Sequence, residues 1–334
     1  MNLRHHGDAD AAPGLVDLAV NVRRPTPRWL LDAITCDPSR WESYPDPTRA
    51  VDAIARHHGV RPDQVLPVPG AAAAFALIAD ALAPEHPVVV HPQFTEPESA
   101  LVDAGIEVRR HLLPAPDFAL DPGAVPDGDL VVIGNPTNPT GTLHPADAVL
   151  SLRRPGRTLV VDEAFMDFVP GETESVLDAD LTGVLVVRSL TKMWGLPGLR
   201  AGFVIGDPVL IERLARRQRP WATSTPALDA LVACSTPAAR AEAEGVAHQT
   251  RSWRDSLCAL LEQVGLPASG SPQAPFVLID ATRLGTSPRE RLAERGWAVR
   301  RGETFPGLGP QWIRISVPSP DTAAAFAAVL GTLR

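Results

Sequence analysis

The sequence predicts an α/β protein: a large domain with a mainly parallel sheet flanked by helices, plus a smaller α+β domain towards the C-terminus. Three observations predict it. Short apolar runs alternate with helical stretches along most of the chain. The runs are bounded by Gly, Pro and Asp and are apolar at almost every position, as strands buried on both faces are. The chain has 334 residues, beyond the size at which a single core keeps growing, so two unequal domains are expected.

Residues 1–40 read as an irregular arm with an apolar run at 15–22 and a helix at 27–34. Pro27 suits a first helical turn. In YPDPTRAVDAIARHHGV the two prolines make a rigid turn, and Thr48 caps a helix carrying Val51, Ile54 and Ala55. A strand at 65–68, a turn at Gly70 and an Ala-rich helix follow. That order presents free backbone N–H groups to an anion, and it also occurs as plain β-turn-α packing. Further strands are read at VVVH (88–91), IEVRRHLL (106–113), DLVVIG (129–134), TLVVD (158–162), VLVVRSL (184–190) and AGFVIG (201–206), with a helix at 96–104. IERLARRQRPW and 226–234 are helical, and 238–264 is one long helix with Arg251, Arg254 and Glu262 on its wet side. FVLIDA, WAVRR and WIRISV are strands, interleaved with helices at 288–295 and 321–333. The expected division is an arm at 1–40 contributing to the small domain, a large domain at 41–237 and a small domain at 238–334.

Composition narrows the function. The net charge is −8, with no basic tail, which disfavours nucleic acid and anionic membranes as main partners. Cys36, Cys234 and Cys258 are far apart and form no CxxC, so no metal site is expected, and they read as reduced core thiols. The polar N-terminus and the lack of a spanning apolar run imply a cytoplasmic protein.

Lysine occurs once, at Lys192, among 31 basic residues. Arginine keeps its proton, whereas lysine can lose it and attack a carbonyl to form a Schiff base. Tyr44 is the single tyrosine, and Asn is confined to four positions, among them Asn21, Asn135 and Asn138. Four polar or aromatic stretches sit just past strand ends, where functional loops of parallel sheets lie. These are QF at 93–94, NPTNPTG at 135–141, VDEAFMDF at 161–168 and RSLTK at 188–192.

NPTNPTG, DEAF thirty residues before the lysine, and SLTK followed by GLRAGF resemble the fold-type-I pyridoxal-phosphate enzymes of the class I/II aminotransferase superfamily. RSLTK, DEAFMDF, RRQRPW and the early HHGD are most similar to the threonine-phosphate decarboxylase and histidinol-phosphate aminotransferase-like group of cobalamin biosynthesis. The resemblance implies pyridoxal 5'-phosphate as cofactor. Lys192 would carry it and shuttle protons, Asp162 would pair with the pyridinium nitrogen, and Asn138 would donate to the phenolic oxygen. Phe94 would stack on the ring, or is a core aromatic. Gly70, Ala71, Ala72, Ser189, Thr191 and Arg200 would hold the cofactor phosphate, with Tyr44 reaching it from the neighbouring subunit of a homodimer. Asn21 and Arg314 would bind substrate, Arg314 through the substrate carboxylate, or Arg314 is only a charge on the wet face of its strand.

Departures from the family pattern bear on the substrate. Phe165 stands where many relatives have Tyr, removing a donor to the phenolic oxygen and favouring the decarboxylase-like group. Ala71 and Ala72 replace polar side chains, leaving phosphate grip there to the backbone. Arg23, Arg24, Arg300 and Arg301 either hold a substrate phosphate or are solvated charges. The first reading is decarboxylation of a small phosphorylated amino acid such as threonine phosphate. The alternative is an aminotransferase of the histidinol-phosphate type.

Overall fold

The computed structural model describes residues 3–333, an α/β fold with two mixed sheets. A short strand β1 (Val16–Leu18) precedes helices α1 (Arg28–Thr35) and α2 (Thr48–His58). The large unit then runs β2 (Val65–Val68), α3 (Ala71–Leu82), β3 (Pro87–His91), α4 (Glu96–Asp103), β4 (Arg109–Leu112), β5 (Leu130–Gly134), α5 (Ala146–Leu150), β6 (Thr158–Asp162), β7 (Val184–Ser189), β8 (Gly202–Gly206), α6 (Pro208–Arg217) and α7 (Thr225–Cys234). Helix α8 (Pro237–Gln263) leads to β9 (Phe276–Asp280), α9 (Pro288–Ala293), β10 (Trp297–Arg301), β11 (Trp312–Ser316) and α10 (Pro320–Thr332).

The large sheet has the order β2-β8-β7-β6-β5-β3-β4, and only β8 runs against its neighbours. Its central strands are buried on both faces, which explains their unbroken apolar sequences. Val131, Ile133, Leu159, Val161, Val184 and Val186 join the core beneath α2 and α7. The alternate residues Leu130, Val132, Val160, Leu185 and Val187 pack with α3 and α6. The parallel strands β3, β5, β6 and β7 therefore end along one edge and deliver four loops there.

The small sheet has the order β1-β10-β11-β9, with β1 parallel to β10, so the N-terminal arm is stitched to the C-terminal unit. Val277, Ile279, Val299, Ile313 and Ile315 pack there against Leu257, Leu261, Phe326 and Leu330.

Several expectations need correcting. Arg254 is buried in α8, donating to the carbonyls of Gln273 (2.8 Å) and Ala274 (3.3 Å). Its two neighbours on the predicted wet side, Arg251 and Glu262, are exposed. The cap of α2 is the Asp46 carboxylate, which accepts from the Thr48 N–H at 3.0 Å. Of IEVRRHLL only Arg109–Leu112 pairs, because β4 is an edge strand bonded on one side. The helix read through RRQRPW ends at Arg217. Cys36 is exposed rather than a core thiol.

Candidate active site

The loop after β7 carries Lys192. Its Nζ donates to Asn21 Oδ1 at 3.1 Å and lies 5.7 Å from the centre of the Phe165 ring. Burial and the charge of Arg314 hold its amine down to about 8, against the opposing pull of Asp162. The segment after Asn21 packs on this loop: Arg23 N donates to Lys192 O at 3.0 Å, and Thr26 Oγ1 to Gly195 O at 2.7 Å.

Asp162 is the last residue of β6 and is 7% exposed. One of its oxygens accepts from Ala164 N at 3.1 Å. Burial still raises its carboxyl to about 6, with Lys192 pulling it down from a distance. Phe165 is buried beside it and meets Phe276 edge-on at 4.9 Å.

Arg314 comes from β11 and is 3% exposed. Its guanidinium lies over Phe276, 5.1 Å from the ring centre. Nη1 donates to Asn138 Oδ1 at 2.6 Å and Nη2 to the carbonyl of Ala19, while Nε is buried without a hydrogen-bond partner among the described residues. Burial and the neighbouring Arg300 hold this guanidinium down to about 9. A buried cation bonded to neutral oxygens is expensive, and an incoming anion would relieve it.

The start of α3 lies beside Arg200. Gly70 has φ 85°, and a Cβ there would come within 2.5 Å of Arg200 Nη2. A Cβ at Gly202 would meet Arg188 O at 2.8 Å and lie 3.1 Å from Gly70 Cα and 3.3 Å from Ala71 N. Ala73 and Ala74 donate to Gly70 O, so the amides of Ala71 and Ala72 begin the helix without intrahelical acceptors. Arg200 thus lies over a helix start, and Ser189 Oγ accepts from Thr191 N at 3.2 Å on the adjoining loop.

Asn135 shapes its loop, as Asn-Pro sequences do. Its side chain donates to the carbonyls of His144 (3.1 Å) and Glu174 (3.2 Å) and accepts from His144 N (2.8 Å). Phe94 is half-buried between Phe75 and His6, at 6.5 and 5.7 Å. Tyr44 does not join these residues within its own chain. It is 75% exposed and stacks on Trp221 at 4.2 Å.

Three of the four arginines read as phosphate holders or solvated charges are instead ion-paired. Arg23 binds Glu242 at 2.8 Å, while Arg300 and Arg301 share Asp10 at 2.9 and 2.7 Å. Arg24 is exposed. The DEAFMDF loop is anchored from beneath by buried Arg188, which contacts Glu163 (2.8 Å), Asp167 (2.9 Å) and Glu172 (2.6 Å). Residues 5–10 of the arm also reach the site, and HHGDAD, with its two histidines and two acids, was the available signal.

The family model for aminotransferase class I and II matches residues 14–330. A histidinol-phosphate aminotransferase of Mycobacterium tuberculosis is 47% identical over 335 residues, covering 98% of this chain and 90% of the relative. A threonine-phosphate decarboxylase of Salmonella typhimurium is 31% identical over 323 residues, covering 92% and 85%. The structure of aspartate aminotransferase from Thermus thermophilus with maleate superimposes with a TM-score of 0.86 at 25% identity, covering 96% of this chain and 92% of that one.

Proposed function

The chain belongs to the aminotransferase class I and II family and is a pyridoxal-phosphate-dependent enzyme, and from that premise we propose that it is an aminotransferase of the histidinol-phosphate aminotransferase type. This reverses the order drawn from sequence, which put threonine-phosphate decarboxylation first. The relatives named as histidinol-phosphate aminotransferases reach 47% identity, against 31% for the decarboxylase.

The observation that carries the reading is Arg314, a deeply buried guanidinium with no ion pair among the described residues, close enough to Lys192 to depress its amine. An anionic group of the amine donor would complete it through charge-assisted hydrogen bonds. A bound donor would then present its amino group towards Lys192.

The residues fit pyridoxal phosphate. The Ala71 and Ala72 amides, Ser189, Thr191 and Arg200 would hold its phosphate. Asp162, buried without an ion pair among the described residues, would hold the ring nitrogen in its protonated form. Arg314 takes the oxygen of Asn138 and so turns the amide N–H groups outwards, free to donate to the phenolic oxygen. Asn21 Nδ2, buried without a partner among the described residues, is a further donor. Phe94 would stack on the ring, and Phe165 would line the phenolic side without a hydroxyl. Once bound, the cofactor withdraws electrons from the donor's α-carbon. Lys192, with its lowered proton affinity, would carry a proton to and from that carbon. Residues 1–40 and 238–334 would act as one domain against 41–237. Tyr44, exposed on its own chain, would complete the phosphate site of a partner in a homodimer.

The test supplies the loaded protein with histidinol phosphate plus 2-oxoglutarate, and separately with threonine phosphate. Glutamate formation in the first is expected. Carbon dioxide from the second without glutamate from the first would reject the reading.

A further inference from the structure

The loop bearing Lys192 is covered by a stretch of chain that begins at Asn21. Asn21 Oδ1 accepts from Lys192 Nζ at 3.1 Å, and Lys192 O accepts from Arg23 N at 3.0 Å. Thr26 Oγ1 donates to Gly195 O at 2.7 Å. Gly195 has φ 67°, and a Cβ there would come within 2.6 Å of Arg23 O, so the two backbones touch. At the far end Trp29, in α1, meets the buried Trp194 edge-on at 5.7 Å. Residues 21–29 thus lie across residues 192–195 as a strap.

Residues 20–27 belong to no helix or strand, so no backbone ladder fixes the strap. A carboxylate from α8 does so instead. Glu242 Oε1 accepts from Arg23 Nη2 at 2.8 Å, and its Oε2 accepts from Trp29 Nε1 at 2.7 Å. The two donors flank the Thr26 contact, one on each side. Arg23 and Glu242 are 25% and 31% exposed, and a partly solvated pair of this kind adds little to global stability. Its distinctive property is geometric: each oxygen holds a different end of the strap.

We propose that Glu242 is a positioning residue for Lys192, which ties Arg23 to Trp29 and so keeps the strap pressed on the loop, water away from the amine and Asn21 against it. Glu242 acts through the strap. The inference rests on Lys192 being the amine that carries the cofactor, as proposed above.

Lys192 is the single lysine, so a reagent for side-chain amines reports on it alone. Unloaded protein is acetylated with acetic anhydride across a range of pH, and the rate at Lys192 is read by mass spectrometry of the peptide that bears it. The wild-type rate should inflect near 8, a lowering whose main cause is burial. In Glu242→Ala the strap lifts, water reaches the amine, and the inflection should rise to about 9 or above, towards the ordinary 10.5. Loss of a carboxylate by its charge alone would move the inflection down, so the sign separates the two effects. Trp29→Phe deletes one donor at unchanged charge and keeps a ring to face Trp194, and it should raise the inflection by less. An inflection that stays near 8 or falls in folded Glu242→Ala overturns the proposal. Where that variant does not fold, an unmoved inflection in Trp29→Phe overturns it. A lower unfolding midpoint with an unmoved inflection would mark a contact that is only structural. Borohydride reduction of wild type mixed with pyridoxal phosphate separates the proposal from its premise. If Lys192 takes no label, the carrier reading fails and Glu242 has no amine to position. If it takes the label while the inflection stays unmoved in the variants, the carrier reading stands and the role of Glu242 fails.

Discussion

Lys192 shows how much a single residue can reveal. Its uniqueness in an arginine-rich chain pointed to an amine that must lose its proton, and burial beside Arg314 supplies the means. The sign follows from the direction of the shift. The folded value of about 8 lies below the ordinary value of 10.5, so the neutral amine grows in as pH rises through about 8. By linkage, this group lends the unloaded fold most stability above the ordinary value and loses it as pH falls through the folded one. Uptake of pyridoxal phosphate by unloaded protein, followed by growth of the visible band, should therefore accelerate from pH 7 to 9 and then level off. An inflection near 10.5 would show an ordinary solvated lysine. Asp10 was not legible in this way. Its partners Arg300 and Arg301 lie some 290 residues along the chain, and nothing local marks a carboxylate as their counter-ion.

At the scale of elements, the strands were legible because burial on both faces writes unbroken apolar runs, as in Thr158–Asp162. Boundaries failed where one side lacks a partner, as at β4. The face of Arg254 failed because a guanidinium that reaches backbone carbonyls can be buried despite its charge. The loop bearing Asp162 depends on an element neighbour, Arg188, which gathers Glu163, Asp167 and Glu172. Burial raises the Asp167 carboxyl to about 7 even with Arg188 present. Arg188→Ala would leave the buried Glu163 and the half-buried Asp167 and Glu172 without their cation, a loss of up to about 3–5 kcal/mol by the usual cost of breaking a buried pair. Without the cation their proton affinities rise further, so the loss should be largest above pH 7 and shrink towards pH 5, where protonation removes the charge. Urea unfolding of unloaded wild type and variant across this range checks it, and a pH-independent difference would contradict the account.

At the scale of the molecule, the two-sheet α/β architecture and the four loops on one sheet edge followed from the sequence. The proposal of a homodimer rests on Tyr44, exposed and stacked on Trp221. If Tyr44 serves a partner's phosphate site, Tyr44→Ala and Lys192→Ala should each be impaired yet complement one another when mixed. Hybrid dimers contain one intact site, so an equal mixture should recover about a quarter of wild-type activity. A monomer in solution, or no recovery on mixing, would contradict the shared site.

The central claim is that an amino group passes from a donor held by Arg314 to the cofactor carried by Lys192. The most direct measurement adds histidinol phosphate alone to loaded protein and follows the visible cofactor band. The account predicts that the band is lost as the donor's amino group is taken up, and that 2-oxoglutarate restores it with release of glutamate. A band that histidinol phosphate leaves unchanged, in protein that releases carbon dioxide from threonine phosphate, would contradict it.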